Sequence, residues 1–353
     1  MSGPEQPWHA AGDTHVGRRE HNEDALLIEP ASGLVMVADG VGGHQAGEVA
    51  SQITCEVLAR ELAAGQDLES AIRQANREVR DAVATGRGKS GMATTVVAAQ
   101  FSGSDYHLCW VGDSRAYLWD GQLKLLTRDH SYVEALLEQG QITFEEARNH
   151  PRKNVIVQAI GLQDEDKLRV GSNRGNLPAG ALLVLCSDGL SDILDCDRLA
   201  AILGSDGSLQ ARSETLVRAA VDAGGRDNVT VVLAERVTGA KDAGDAPETA
   251  AEPEVVWRYD PASGEYHGLP ELVQPGLPEG AGGAAPVRAP QRQRVRPKSV
   301  ESTQMMSADA MDGLRRETEK SRGPTRGRRR LWLLLTVLLG ALLGYWYSTG
   351  LGG

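Results

Sequence analysis

The stretch LVMVADGVGGHQAGEVASQITCEVLARELA, Leu34 to Ala63, decides the class of the fold. It starts as an unbroken apolar run that ends in Asp39-Gly40. A tight turn over Gly40, Gly42 and Gly43 follows, and apolar residues then recur at helical spacing from Ala46 to Ala63. Short β-branched runs of the same kind recur outward from here. They predict strands at Leu34–Asp39, Ala93–Gln100, Tyr106–Gly112, Ala116–Trp119, Ala181–Ser187 and Val229–Ala234. Asp120-Gly121, just before QLKLL, predicts a hairpin turn. Helical periodicity covers Ala46–Ala63, Leu68–Ala84, Val133–Glu138, Phe144–Asn149 and Leu209–Ala223. Strands come in consecutive pairs and so do helices, which favours an antiparallel α+β domain over a doubly wound parallel sheet.

Composition removes several function classes. Apolar residues make up 41% and charged residues 24%, the balance of a globular chain. The net charge of −11 is the wrong sign for a nucleic-acid binder. Cys55, Cys109, Cys186 and Cys196 form no C-x-x-C pair, so reduced thiols fit better than a zinc site or a disulfide framework. The opening residues MSGPEQPWHAAG carry no basic-then-apolar leader. DGVGGHQAG is not a dinucleotide loop, because the third glycine of G-x-G-x-x-G would fall on Gln45 and Asp39 would repel a pyrophosphate.

The chain divides into unlike regions. A folded domain is expected over 8–238. Residues 239–325 read as a flexible linker: ten of the 15 prolines lie between 241 and 325, among Gly, Ala, Ser and charges. Trp257, Tyr259 and Tyr266 interrupt it. This aromatic island is open to two readings, a strand or collapsed segment docked on the domain and a motif for a partner. A basic stop, 326–330, precedes LWLLLTVLLGALLGYWY, Leu331 to Tyr347. That run spans roughly 25 Å as a helix at about 1.5 Å per residue, and snorkelling arginines extend it. Trp332 at one end and Tyr345, Trp346 and Tyr347 at the other mark both membrane interfaces. A single-pass transmembrane helix is expected, with residues 1–330 in the cytoplasm by the positive-inside rule and 348–353 as a short outside tail. The cell inner membrane is the expected location.

Acidic residues stand at strand ends rather than on helix faces. LVMVADG carries Asp39, VGDSR carries Asp113, CSDG carries Asp188, GGRDN carries Asp227 with Asn228, and RREHNED carries Arg19, Glu23 and Asp24. One such Asp is a common turn former. Several, each attached to a buried-type strand, would converge with too little positive charge to stay ionised. Divalent cations resolve that conflict, and an all-oxygen set selects Mg2+ or Mn2+.

RREHNED, ADGVGGHQAGEVAS, GMATTVV, VGDSRAYL, TRDHS, CSDGLSD and GGRDNVTVVL occur in the order and spacing of the PPM family, the metal-dependent 2C-type protein serine/threonine phosphatases, in their bacterial form. The resemblance covers about residues 8–237. It implies a central sandwich of two antiparallel sheets flanked by helices, and a centre of two Mn2+ or Mg2+ ions with a third, weaker one. By position, Asp39 would bridge the two metals, Asp188 and Asp227 would complete one site, and the Gly40 carbonyl would help hold the other. Asp113 with Asp188 would hold the third metal. Glu23 and Asp24 would hold metal-bound waters, Arg19 would bind the substrate phosphate, and Asn228 would orient Asp227. The implied reaction is hydrolysis of phosphoserine and phosphothreonine by a metal-bridging hydroxide.

Further expectations follow from that resemblance. Some relatives place a histidine directly after Asp-Gly. Here that position is Val41, and His44 lies three residues later. The leaving-group proton is left open between a metal-bound water and His130, with a structural hydrogen bond as the plainer role of both histidines. Residues 131–162 resemble a flap, in which Arg148, His150, Arg152 and Lys153 are either a solvated face or a substrate-docking patch. Phosphorylated proteins, Ser/Thr kinases and their substrates are the implied partners. Two other readings stay on the page: a non-catalytic phosphoprotein-binding pseudophosphatase, and a phosphatase dedicated to sigma-factor regulators.

Overall fold

The computed structural model describes residues 8–42, 46–237 and 253–268, with the short strands 287–288 and 304–305. In chain order the strands are β1 Trp8–His15, β2 Ala25–Glu29, β3 Leu34–Ala38, β4 Gly40–Val41, β5 Ala93–Thr94, β6 Val96–Ser102, β7 Asp105–Val111, β8 Arg115–Trp119 and β9 Leu123–Leu125. They continue with β10 Val155–Ile156, β11 Gly171–Asn176, β12 Leu182–Cys186, β13 Val229–Arg236, β14 Trp257–Asp260, β15 Glu265–His267, β16 Val287–Arg288 and β17 Gln304–Met305. The helices are α1 Ala46–Ala63, α2 Leu68–Ala84, α3 Tyr132–Glu138, α4 Phe144–Arg148, α5 Asp188–Ser191, α6 Cys196–Leu203 and α7 Leu209–Asp222.

Two antiparallel sheets face each other. One runs β1-β13-β12-β8-β9-β14-β15-β16 and the other β11-β7-β6-β3-β2. Alternation along β3 assigns its residues to two cores. Val35 and Val37 turn inward, with Val97, Ala99 and Leu108 from the same sheet and Leu118, Leu183, Leu185 and Val232 from the opposite one. Leu34, Met36 and Ala38 turn outward onto Ala50, Leu58, Ile72 and Val79 of α1 and α2. On the far side Val184, Cys186, Val231 and Leu233 pack under Leu199, Ile202, Leu216 and Val217 of α6 and α7. Helices cover both outer faces, so β3 and β12 are apolar at every position. That is why β3 and β12 read as continuous hydrophobic runs rather than alternating ones.

The predicted α+β class and antiparallel pairing hold. The predicted helices recur with the same bounds or within one residue, and Asp120-Gly121 closes the β8–β9 hairpin through Trp119↔Leu123. Two differences carry weight. Ala93–Gln100 is not one strand: it breaks at Thr95, where β5 leaves to pair with β4 and β6 stays in the five-stranded sheet. β11, GSNRGN, has no apolar signature. It pairs with β7 so that Gly171 lies opposite Trp110. A Cβ on Gly171 would sit 2.2 Å from the Trp110 ring, so the aromatic supplies the packing that glycine lacks.

The expected linker 239–325 contains folded structure. β14 and β15 form a hairpin that extends the eight-stranded sheet, with Trp257↔Leu125 and Tyr259↔Leu123 in register with β9. Trp257 and Tyr259 are 8% and 3% exposed and join Tyr117 and Leu123 in the outer core. Asn173 pins the entry strand, donating to the carbonyls of Leu126 (2.9 Å) and Glu254 (2.8 Å). The docked strand is thus the correct reading of the aromatic island, and the folded domain extends beyond 238. Among the described residues no helix is long and apolar enough to cross a membrane. The rest of the expected linker, the basic 326–330, the apolar 331–347 and the tail 348–353 lie outside the described residues, as does His44.

Candidate active site

Antiparallel pairing brings the acidic strand ends to one edge of the sandwich. In the eight-stranded sheet, His15 at the end of β1 lies opposite Val229 at the start of β13, and Cys186 at the end of β12 lies opposite Val231. In the other sheet β3 and β7 both run antiparallel to β6, so both finish at the same edge. Asp39 follows β3, Asp113 follows β7, Asp188 opens α5 directly after Ser187, and Asp227 precedes β13.

Hydroxyl groups and backbone fix each carboxylate-bearing segment. The Asp39 amide donates to Thr95 Oγ1 (3.1 Å), while its carbonyl accepts from the Thr95 amide (2.8 Å) and Thr94 Oγ1 (2.9 Å). The strand break at Thr95 therefore clamps Asp39. Thr95 Oγ1 also pairs with Ser114 Oγ at 2.7 Å, which ties the Asp113 segment to the same point. Asp24 Oδ2 accepts from Ser187 Oγ (2.9 Å) and Thr230 Oγ1 (2.6 Å). Gly40 donates to the Glu23 carbonyl at 3.1 Å and crosses the first turn of α1 at Gly47. A Cβ on Gly40 would meet the Gly47 carbonyl and the Glu23 carbonyl at 2.4 and 2.5 Å, so only glycine allows this approach.

Asn228 acts differently from the expectation. Its backbone N–H, not its side chain, holds Asp227, donating to Oδ1 at 2.9 Å. The side-chain amide staples the Val16–Glu23 loop instead. Nδ2 donates to the Val16 and His21 carbonyls (2.9 and 3.0 Å), and Oδ1 accepts from the Glu23 amide (2.8 Å). That loop carries Arg19, whose Nη2 donates to Asp227 Oδ2 at 2.8 Å. A cleft of about 240 Å³ opens here, lined by Arg18, Arg19, Arg226, Asp188, Asp192 and Asp227 among others.

The electrostatics are those of crowded carboxylates. Burial, and then the charges of Asp24, Asp188, Asp227 and Asp113, push the Asp39 carboxyl well above its usual range. Asp39 keeps some surface open although protein surrounds it. Burial, followed by Asp188, also raises Asp113, and burial pushes Asp24 up to about 7 against the hydrogen bonds from Thr230 and Ser187. Asp24 Oδ1 and Asp113 Oδ1 are buried with no hydrogen-bond partner among the described residues. Among the described residues no three acidic, histidine or cysteine side chains close on a single point; Asp188, Asp192 and Asp227 line the cleft. Orphaned carboxylate oxygens, mutual repulsion and an all-oxygen donor set fit hard divalent cations. Asp39, Asp188 and Asp227 are the residues that would hold them, with Asp113 near Asp188.

Other candidates move away from chemistry. His130 accepts at Nδ1 from the Gly112 amide (3.3 Å) and stacks on Trp110, and burial lowers its pKa to about 4. Burial thus disfavours the charged imidazolium that would serve as a general acid, while the Gly112 amide and the Trp110 ring hold the side chain in place. Burial pushes the Cys186 thiol up to about 12, which makes it an inert core residue. In the flap, Lys153 Nζ donates to Asp192 Oδ2 at 2.6 Å, and the Arg152 guanidinium lies 5.7 Å from the Tyr132 ring centre. His150 packs on the same ring. The Arg148 side chain lies outside the described ones. The motif reading missed the roles of Thr95, Ser114, Ser187 and Thr230, although all four sit inside the quoted motifs.

Strand ends that present carboxylates and an arginine around one cleft define a metal-dependent phosphohydrolase centre. Residues 11–222 match the protein phosphatase 2C family. The serine/threonine phosphatase stp of Listeria monocytogenes is 37% identical over 243 residues, covering 65% of this chain and 96% of that protein. The serine/threonine protein phosphatase PstP of Mycobacterium tuberculosis is 37% identical over 227 residues, covering 62% of this chain and 43% of that protein. The crystal structure of the M. tuberculosis phosphatase PstP/Ppp matches with a TM-score of 0.60 at 34% identity, over 65% of this chain and 98% of that one. A PstP catalytic domain in complex with two manganese ions matches with a TM-score of 0.58 at 33% identity, over 65% and 98%. This chain belongs to the protein phosphatase 2C family. It is a protein serine/threonine phosphatase that depends on Mn2+ or Mg2+.

Proposed function

We propose that this phosphatase is anchored to the cell inner membrane and faces the cytoplasm, where it removes phosphate from Ser/Thr kinases and their protein substrates. The catalytic part of the reading rests on one observation: Asp39 stands amid Asp24, Asp113, Asp188 and Asp227 beside a cleft lined by Arg19. Asp39 would bridge two divalent cations, Asp188 and Asp227 would complete one site, and the Gly40 carbonyl would contribute to the other. Asp113 and Asp188 would hold a third. When bound, such ions make a coordinated water acidic enough to attack at neutral pH and neutralise charge on the phosphoryl oxygens.

The chain's own residues supply positioning. Arg19 would clamp two phosphoryl oxygens in its planar fork, a contact that lysine cannot copy. Asn228 fixes the Arg19 loop, and Asp227 orients the guanidinium itself. Glu23 and Asp24 would hold waters at the cleft, with Ser187 and Thr230 keeping Asp24 oriented. The Lys153–Asp192 pair fastens the flap, 131–162, to the cleft wall.

The membrane part rests on sequence. Leu331–Tyr347 is apolar, bordered by aromatics and preceded by RGRRR. Twenty-five residues separate it from β17, which ends at Met305, and a flexible chain of that length has an r.m.s. reach of roughly 25–30 Å. The catalytic domain would then work in a shallow layer beneath the membrane, at raised effective concentration on membrane-bound phosphoproteins.

The test uses a phosphothreonine peptide with added Mn2+. The protein should hydrolyse it, and EDTA should stop the reaction. Asp39→Asn should lose more than about a hundredfold in kcat, roughly 2.7 kcal/mol. Turnover that persists after exhaustive chelation, or more than about a tenth of the wild-type rate in Asp39→Asn, would overturn the assignment.

A further inference from the structure

We propose that Arg18 and Arg226 form a second anion subsite beside Arg19, which selects phosphoproteins carrying another negative group close to the phosphorylated residue. The proposal rests on the phosphatase reading and deepens it to a substrate class.

The three guanidinium-bearing residues line one cleft. The two other aspartates whose partners are shown there are already engaged. Asp227 accepts from Arg19 at 2.8 Å, and Asp192 accepts from Lys153 at 2.6 Å. Arg18 and Arg226 are exposed, and neither side chain has an ion pair or hydrogen bond among the described residues. Their backbones hold them side by side, with the Arg18 amide donating to the Arg226 carbonyl at 3.2 Å. In a chain with 48 acidic and 37 basic residues, two spare cations at the mouth of the active site oppose the overall field. One arginine fork satisfies one phosphoryl group, so Arg18 and Arg226 remain for a second anion.

The reach is suitable. An extended peptide advances about 3.3 Å per residue, so a group one to three positions from the phosphoresidue lies within about 10 Å of it. A second phosphoryl group and a carboxylate offer the same chemistry. The phosphoryl group carries nearly twice the charge at pH 7 and takes a bidentate contact, so it should bind more strongly.

The experiment compares kcat/KM for three phosphothreonine peptides that differ only in their flanks: alanines, glutamates, or a second phosphothreonine two positions away. p-Nitrophenyl phosphate reports turnover without any flank. The wild type should favour the doubly phosphorylated peptide over the alanine-flanked one by roughly tenfold, mostly through KM, with the glutamate peptide between them. The preference should shrink on raising salt from 50 to 300 mM, because exposed charges are screened. Arg18→Gln should narrow the spread, and the double variant with Arg226→Gln should bring it to within about twofold. Both should leave p-nitrophenyl phosphate turnover, the alanine peptide and the half-saturating Mn2+ concentration unchanged. Arg18→Glu should push the spread below one.

A preference for the second phosphoryl group alone assigns the subsite to phosphate; a graded response to both assigns it to anions in general. Equal values in the wild type, or a preference that survives in the double variant, would overturn the proposal. Failure of the wild type on the alanine peptide and on p-nitrophenyl phosphate would instead overturn the phosphatase reading.

Discussion

Asp24 gives the sharpest physical test of the site, because its charge is costly in the metal-free protein. The perturbation is Asp24→Asn. The new amide oxygen still accepts from Ser187 and Thr230, which both donate to Oδ2 in the wild type. Burial, and then Asp188 and Asp227, raise the carboxyl from 3.8 to about 7. The folded protein therefore holds this proton more tightly than the unfolded chain does. Without metal, that stability is fully present below about pH 4 and is lost as pH rises through 7. Three units at about 1.4 kcal/mol each place the loss on the order of 4 kcal/mol, an upper bound because Asp39 and Asp113 share the same field. At about 2–4 °C per kcal/mol for a domain of this size, the shift in Tm is up to roughly 8–16 °C. The assay is a set of melting curves from pH 5 to 7.5, with EDTA and with saturating Mn2+. In EDTA, the wild-type Tm should fall relative to Asp24→Asn as pH rises. With Mn2+ that difference should vanish, since cations in the cleft hold the carboxylates charged. Parallel pH profiles of the two proteins in EDTA would refute the claim that burial, with the neighbouring carboxylates, makes the Asp24 charge costly in this fold.

Arg19→Ala should raise KM for a phosphothreonine peptide about tenfold or more and lower kcat less, as steady-state kinetics would show. Trp257 is 8% exposed and packs edge-on against Tyr117 and Tyr266, so Trp257→Ala should cost up to about 3–5 kcal/mol, capped by the free energy of hairpin undocking. Urea titration measures that loss, and proteolysis should then cut within 253–268 first. A protein ending at Thr325 should keep its activity on soluble peptides and move to the soluble fraction on cell fractionation. A full-length protein recovered as soluble would refute the anchor.

Carboxylates at the ends of apolar strands were legible as a set that could meet at one edge before any coordinates, because each acid is covalently fixed to a strand of buried type. The spans of α1, α2 and α7 were legible from period alone. β11 was not, since GSNRGN earns its place only by lying across Trp110 and Tyr106. β1 was missed as well, its strand being made by pairing with β13 rather than by its own composition. The aromatic island at 257–266 was legible as an anomaly, but only β9 tells which surface it covers. Which hydroxyl holds which carboxylate was also hidden: Thr95, Ser187 and Thr230 look like ordinary strand residues until Asp39 and Asp24 arrive from elsewhere in the chain. The sequence by itself determined the chemical inventory, the strand and helix periods and the acids at the strand ends, since these are local properties. Tertiary structure alone decided that Asn228 staples the Arg19 loop, that burial disfavours the charged form of His130, and that the Arg18 and Arg226 side chains have no partner among the described residues. Hydrogen bonds, burial and charge pairing depend on distances between residues more than two hundred positions apart, and only the folded chain sets those distances.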